Sequence, residues 1–202
     1  MTTMTDISAE AVKQLREQTG AGFMDCKRAL QETGGDVDKA VLLLRERGIA
    51  AAAKKSDRDA REGLIGSYIH TGGRVGVLIE VNCETDFVAR NEQFQKLVRD
   101  LAIQVAGLNP QWVDVESIPE ADLAAKRAEL AADPSVASKP ADIQDKILDG
   151  QLKKWFKDVV LLEQPFRDEE RSVRELVTEA IATIGENIQV RRFTRFALGE
   201  DK

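Results

Sequence analysis

Val75-Gly76-Val77-Leu78-Ile79-Glu80-Val81-Asn82-Cys83-Glu84-Thr85-Asp86-Phe87-Val88-Ala89-Arg90-Asn91 is the stretch from which the fold can be read. Val75, Val77, Ile79, Val81 and Cys83 alternate, which predicts a strand with one buried face. From Phe94 the period changes, and Phe94, Leu97, Val98, Leu101, Ala102 and Val105 fall at helical spacing. Thr85-Asp86-Phe87-Val88 is therefore the corner between two rigid elements. A corner held from both sides can present a carboxylate and a large apolar ring in a fixed place.

On the N-terminal side, Leu64 to Thr71 reads as a second strand, joined to the first through Gly72-Gly73, a pair suited to the positive backbone angles of a tight hairpin. Residues 7 to 48 read as three short helices. Ser8 caps the first, with Ile7 and Val12 spaced as a hydrophobic staple. The second runs from Phe23 to about Thr33. The third starts at Asp36 and is expected to end at Gly48. Ile49 to Glu62, an alanine run followed by a charged segment, reads as a frayed helical end and a linker.

Downstream, Pro110, Pro119, Pro134 and Pro140 punctuate a polar region, and Pro119 and Pro140 stand where helices can begin. Ile143, Ile147, Leu148, Leu152, Trp155, Phe156, Val159 and Val160 line one side of the longer of these helices. Ser172 to Glu175 forms a capping box for a helix that Gly185 stops. Ile188 to Leu198 closes the chain as a third strand. The expected class is α+β, with a three-helix unit at 1–48, a linker at 49–62 and a core at 63–202.

Composition narrows the function. The chain has 202 residues, 29 Lys plus Arg against 35 Asp plus Glu, and a net charge of −6, which disfavours a protein that holds nucleic acid by phosphate neutralisation. It contains no apolar run of about 18 residues and no basic, apolar leader at Met1–Asp6, so a cytoplasmic location and no membrane contact are expected. The single histidine, His70, thins the field of acid-base and metal sites. Cys26 and Cys83 read as buried thiols in a reducing compartment. Cys83 beside His70 as nucleophile and base is disfavoured, because Cys83 shares the apolar face of its strand and cysteine packs readily in cores. No metal-ligand spacing and no phosphate-cradling loop is found, and Gly20-Ala21-Gly22 is too short for one. Arg191, Arg192 and Arg195 are read as a solvated edge with salt bridges. Phe87 stays open: it either plugs the core beneath the corner or stands out as an anchor.

Two long segments carry a resemblance. Leu15-Arg16-Glu17-Gln18-Thr19-Gly20-Ala21-Gly22-Phe23-Met24-Asp25-Cys26-Lys27 and Glu80-Val81-Asn82-Cys83-Glu84-Thr85-Asp86-Phe87-Val88-Ala89-Arg90-Asn91 closely resemble the two signatures of the elongation factor Ts family. The similarity continues through Leu161-Leu162-Glu163-Gln164-Pro165-Phe166 and Ile184-Gly185-Glu186-Asn187-Ile188 to Arg195-Phe196. It implies a guanine-nucleotide exchange factor for elongation factor Tu in its GDP-bound form, which catalyses no reaction of its own and needs no cofactor, metal or direct nucleic-acid contact. It also implies a ubiquitin-associated-like helical domain ahead of a core with a three-stranded antiparallel sheet and packed helices. In the family, the Asp-Phe pair matching Asp86 and Phe87 pushes between partner helices beside its magnesium site, which implies a partner-binding corner of Thr85, Asp86, Phe87 and Val88. The N-terminal domain, by position through Leu15, Phe23 and Met24, grips the partner from another side. Phe23 stands where methionine is usual.

The chain further resembles the family's short members, which lack the second half of the core and the long helical insertion. One three-stranded sheet has a face to cover, so a homodimer with sheets packed face to face is expected. Ile188 to Leu198 holds no cysteine, so that dimer is expected to be non-covalent. Two other readings remain: a binding module without exchange activity, and a thiol enzyme dependent on Cys83.

Overall fold

Residues 7–167 and 171–200 are described by a computed structural model of the chain. In chain order they form α1 (Ala9–Thr19), α2 (Phe23–Glu32), α3 (Val37–Ala53), β1 (Glu62–Ile69), β2 (Val75–Cys83), α4 (Asp86–Ala89), α5 (Glu92–Leu108), α6 (Glu120–Ala131), α7 (Pro134–Ala137), α8 (Ala141–Val159), α9 (Val173–Ile184) and β3 (Gln189–Ala197). The class is α+β, and the strands form one antiparallel sheet in the order β1-β2-β3. The chain groups into two compact units. One holds the segment ending at Leu64 together with Asn82–Leu97 and Val177–Gln189, and the other holds Ile65–Val81, Val98–Leu176 and the residues from Val190 on.

The first unit begins with three helices. Ser8 Oγ accepts the Ala11 N–H at 3.1 Å and Asp36 Oδ1 accepts the Lys39 N–H at 3.1 Å, so two of the orphan donors at the starts of α1 and α3 are satisfied as the sequence predicts. Val12, Leu15, Cys26, Ala29, Leu30 and Ala40 are fully enclosed, and Ile7, Val37, Val41 and Leu44 close around them. Helix α3 does not stop at Gly48. It continues five residues further to Ala53 through an alanine run of the highest helix propensity. Gly48 faces α9, where an added methyl group would stand 3.4 Å from the Ala182 Cβ, about ordinary contact distance.

In the second unit, β1 and β2 meet in a turn at Gly72 (φ 89°) and Gly73 (φ 69°), in the left-handed region that favours glycine. Val77, Ile79 and Val81 of β2 are buried, as are Val98, Leu101, Ala102 and Val105 of α5. Gly66 of β1 lies so close to this helix that an added Cβ would collide with Val98 Cγ1. The opposite face of the sheet is left open. Ile65 and Ile69 of β1, Leu78 of β2, Phe196 of β3 and Leu198 just beyond it are all exposed. Arg192 and Glu80 pair on that face at 2.7 Å, while Arg195 reaches Glu200 at 2.6 Å and the Ala106 carbonyl at 3.3 Å. Arg192 and Arg195 thus pair as the sequence suggests.

The helical region beyond α5 is tied down by polar contacts. Gln164 is fully buried; its amide donates to the carbonyls of Leu108 (3.4 Å) and Asp158 (3.1 Å) and its oxygen accepts from Gln104 Nε2 (3.3 Å). A buried side-chain amide with its donors and acceptor engaged fixes this crossing firmly. Trp112 and Trp155 meet edge-on with ring centroids 5.8 Å apart. The capping box at α9 is formed, with Ser172 N donating to Glu175 Oε2 at 2.7 Å and Glu175 N donating to Ser172 Oγ at 3.2 Å. The four-residue α7, absent from the sequence reading, starts on Asp133, whose carboxylate accepts the Ser135 N–H at 2.8 Å. Among the described residues no helix is long and apolar enough to cross a membrane.

Candidate partner-binding site

The corner after β2 is one isolated helical turn, and its residues point in different directions. Thr85 caps α4, its Oγ1 accepting the Val88 N–H at 3.4 Å. Ala89 is buried and anchors the turn from below. Asn91 then caps α5 in its turn, with Oδ1 accepting the Gln93 N–H at 2.7 Å. Between these anchors Phe87 is 80% exposed, the most exposed large apolar side chain among the described residues. The sequence left core plug and exposed anchor open; the ring stands in solvent. An apolar ring held out by a short turn carries an unfavourable hydration that docking would relieve.

Asp86 sits beside the ring. Its carboxylate accepts from Arg90 at 2.7 Å in a half-exposed pair, an interaction weak enough to be exchanged for a partner's groups. Val88 is half-buried and Thr85 partly so.

What holds the turn lies a hundred residues away. Glu186, just after α9, accepts the N–H groups of Glu84 and Thr85, both at 3.0 Å on Oε2, and the Thr85 hydroxyl at 2.7 Å on Oε1. The next residue, Asn187, is buried; its N–H donates to Glu84 Oε1 at 2.6 Å and its side-chain amide to the carbonyls of Ser56 (3.2 Å) and Arg58 (2.8 Å). Arg58 closes the circuit with Glu84 at 3.4 Å. Neither Glu186 nor Asn187 was picked out for a role at the corner by sequence reasoning. The available signals were that both lie in the Ile184–Ile188 segment that carries the family resemblance, and that two residues able to pair with backbone follow the helix-stopping Gly185.

The residues expected to form the N-terminal contact divide. Phe23 (47% exposed) and Met24 (62%) open the first turn of α2 side by side and face solvent. Leu15 is the exception, because it is wholly enclosed in the three-helix core and cannot touch a partner directly. Its spacing on α1 places it on the apolar stripe with Val12, and that burial supports the surface formed by its neighbours.

Cys83 is buried at the end of β2, its thiol donating to the Thr85 carbonyl at 3.2 Å. Burial, with the nearby Glu186 charge, pushes this thiol up to about 11, so thiolate is scarce at neutral pH. Burial likewise raises Cys26. His70 is exposed in the turn after β1, where its Nδ1 and the Tyr68 hydroxyl lie 2.9 Å apart.

Comparison with known proteins bears on what this surface belongs to. The sequence profile described as Elongation factor TS matches residues 49–180. The chain is 59% identical over 201 residues to elongation factor Ts of Synechococcus elongatus, covering 98% of this chain and 90% of the relative. The chain belongs to the elongation factor Ts family. Elongation factor Ts of Microcystis aeruginosa is 56% identical over 200 residues, with 98% of this chain and 79% of the relative covered. For elongation factor Ts of Coprothermobacter proteolyticus the identity is 53% over 196 residues, with 96% and 100% covered. The exposed corner and the exposed pair on α2 are thus surfaces of an elongation factor Ts family member, and both lie in its first compact unit.

Proposed function

We propose that the chain is a guanine-nucleotide exchange factor for elongation factor Tu, acting in translation elongation in the cytoplasm without making or breaking a covalent bond. The observation that carries this reading is the exposed Phe87 on a clamped turn. In this reading Phe87 enters between helices of the GDP-bound partner. Asp86 leaves Arg90 to engage groups that the ring displaces, and Thr85 and Val88 frame the turn. Phe23 and Met24 of the N-terminal three-helix domain, whose third helix runs to Ala53, hold the partner at a second place, with Leu15 as their support.

A bound nucleoside diphosphate is held by loop N–H groups and by a Mg²⁺ ion that bridges its phosphate to the protein. Moving the helix that orients the ion's ligands weakens the ion and the phosphate together. Full burial of one phenylalanine ring supplies about 1.5–3 kcal/mol towards that movement. The coupling is reciprocal: as the factor loosens the nucleotide, a nucleotide must loosen the factor by the same free energy, and an incoming GTP releases it.

The open sheet face supports a further element of the proposal, a non-covalent homodimer in which Ile65, Ile69, Leu78 and Phe196 of each copy are covered by the other. The test of the exchange function is release of a fluorescent GDP analogue from elongation factor Tu on mixing with the factor. Accelerated release is expected; binding without acceleration would leave only a docking module.

A further inference from the structure

We infer that Glu186 is a positioning residue for nucleotide exchange, one that holds the Phe87 turn in its docking geometry before the partner arrives. The inference rests on the exchange reading above and extends it to a residue outside the presented corner. Helix α4 is a single turn. A lone turn in water is unstable, because fixing its backbone costs more than its one or two hydrogen bonds return. Something beyond the turn must hold it, and the Glu186 carboxylate does so through both its oxygens.

Oε2 takes the N–H groups of Glu84 and Thr85, which fixes the backbone entering the turn. Oε1 takes the Thr85 hydroxyl proton, leaving the Oγ1 lone pair directed at Val88 N–H. The carboxylate therefore sets the rotamer of the cap, and the cap sets the turn that carries Phe87. Hydrogen bonds to an ionised acceptor are stronger than neutral ones, and three converge here. Asn187 binds the same stretch to the segment leaving α3 through Ser56 and Arg58. Glu186 touches neither nucleotide nor Mg²⁺ in this account; it acts only through Phe87.

The test is a double-mutant cycle in stopped-flow release of fluorescent GDP, with factor concentration varied to separate maximal rate from half-saturation. Glu186→Ala is expected to lower the maximal rate about tenfold, as losing a preorganised charged contact does, with half-saturation moved by less than about threefold. On a Phe87→Ala background the same change is expected to cost almost nothing more, since the group it positions is gone. A parental maximal rate in Glu186→Ala, or a loss that multiplies in full onto Phe87→Ala, overturns the inference. If Glu186→Ala fails to fold, Glu186→Gln takes its place in the cycle under the same criteria. Its amide oxygen still accepts the two N–H groups and its NH₂ can donate to the Thr85 hydroxyl, so the charge and the present proton arrangement are lost but not the contacts, and a loss of about threefold is expected. Failure of the parent factor itself to accelerate GDP release would instead sink the exchange reading, and Phe87→Ala at the parental rate would sink the wedge and this inference with it, so the failures are distinguishable.

Discussion

Replacing Phe87 with alanine separates docking from folding. The ring is 80% exposed, so its removal takes away almost no internal contact, and unfolding free energy is expected to stay within about 0.5 kcal/mol of the parent. In the proposed complex the same ring becomes buried, and losing that burial would cost about 1.5–3 kcal/mol. At about 1.4 kcal/mol per factor of ten, maximal GDP release from elongation factor Tu is expected to slow about ten- to hundredfold. Stopped-flow release of a fluorescent GDP analogue reads the rate, and thermal melting of the free variant reads stability. Release within twofold of the parent would refute the wedge. A melt lowered by many degrees would refute the exposed placement, because only a packed ring stabilises its own fold.

Other outcomes follow from the same structure. Gly66→Ala drives a methyl group into Val98 Cγ1 and is expected to cost about 1–3 kcal/mol by chemical denaturation; an unchanged midpoint would mean that β1 and α5 are not in close contact there. The Cys83 thiol is raised from 9.0 to about 11, so the fold favours its neutral form. That contribution, about 2–3 kcal/mol by linkage, is fully present below pH 9 and lost as pH climbs towards 11. Cys83→Ser is expected to flatten the loss of stability over that interval while leaving GDP release unchanged, and a variant without exchange activity would revive the thiol-enzyme reading. Phe196→Glu places a charge in the open sheet face and is expected to convert a dimer into a monomer by light scattering; a parent that is itself monomeric at micromolar concentration removes the dimer proposal.

The sequence disclosed most of the elements because their signals are local. Alternation along Val75 to Cys83, the 3.6-residue period from Phe94, the caps at Ser8 and Asp36 and the box at Ser172 depend on neighbours within a few residues, and each appears at its place. Where tertiary contact decides, local reading fell short. Gly48 looked like a stop, yet it lies mid-helix facing Ala182 of α9, and Leu15 looked like a contact residue, yet its methyl groups complete a core. The corner was legible as a corner, but the exposure of Phe87 was not. The turn that carries it is bonded to Glu186 and Asn187, whose distance along the chain hides their bonds to Glu84 and Thr85 from any local pattern. The open sheet face followed from counting strands, since one sheet packed on one side must leave the other bare.

A fluorine label on the ring at position 87, followed by ¹⁹F NMR, reports most directly on whether the wedge stands ready. In the free protein the resonance is expected to show a large solvent isotope shift between H₂O and D₂O, and in the nucleotide-free complex with elongation factor Tu that shift is expected to vanish. A ring already shielded from solvent in the free chain, or one still solvated in the complex, would contradict the account.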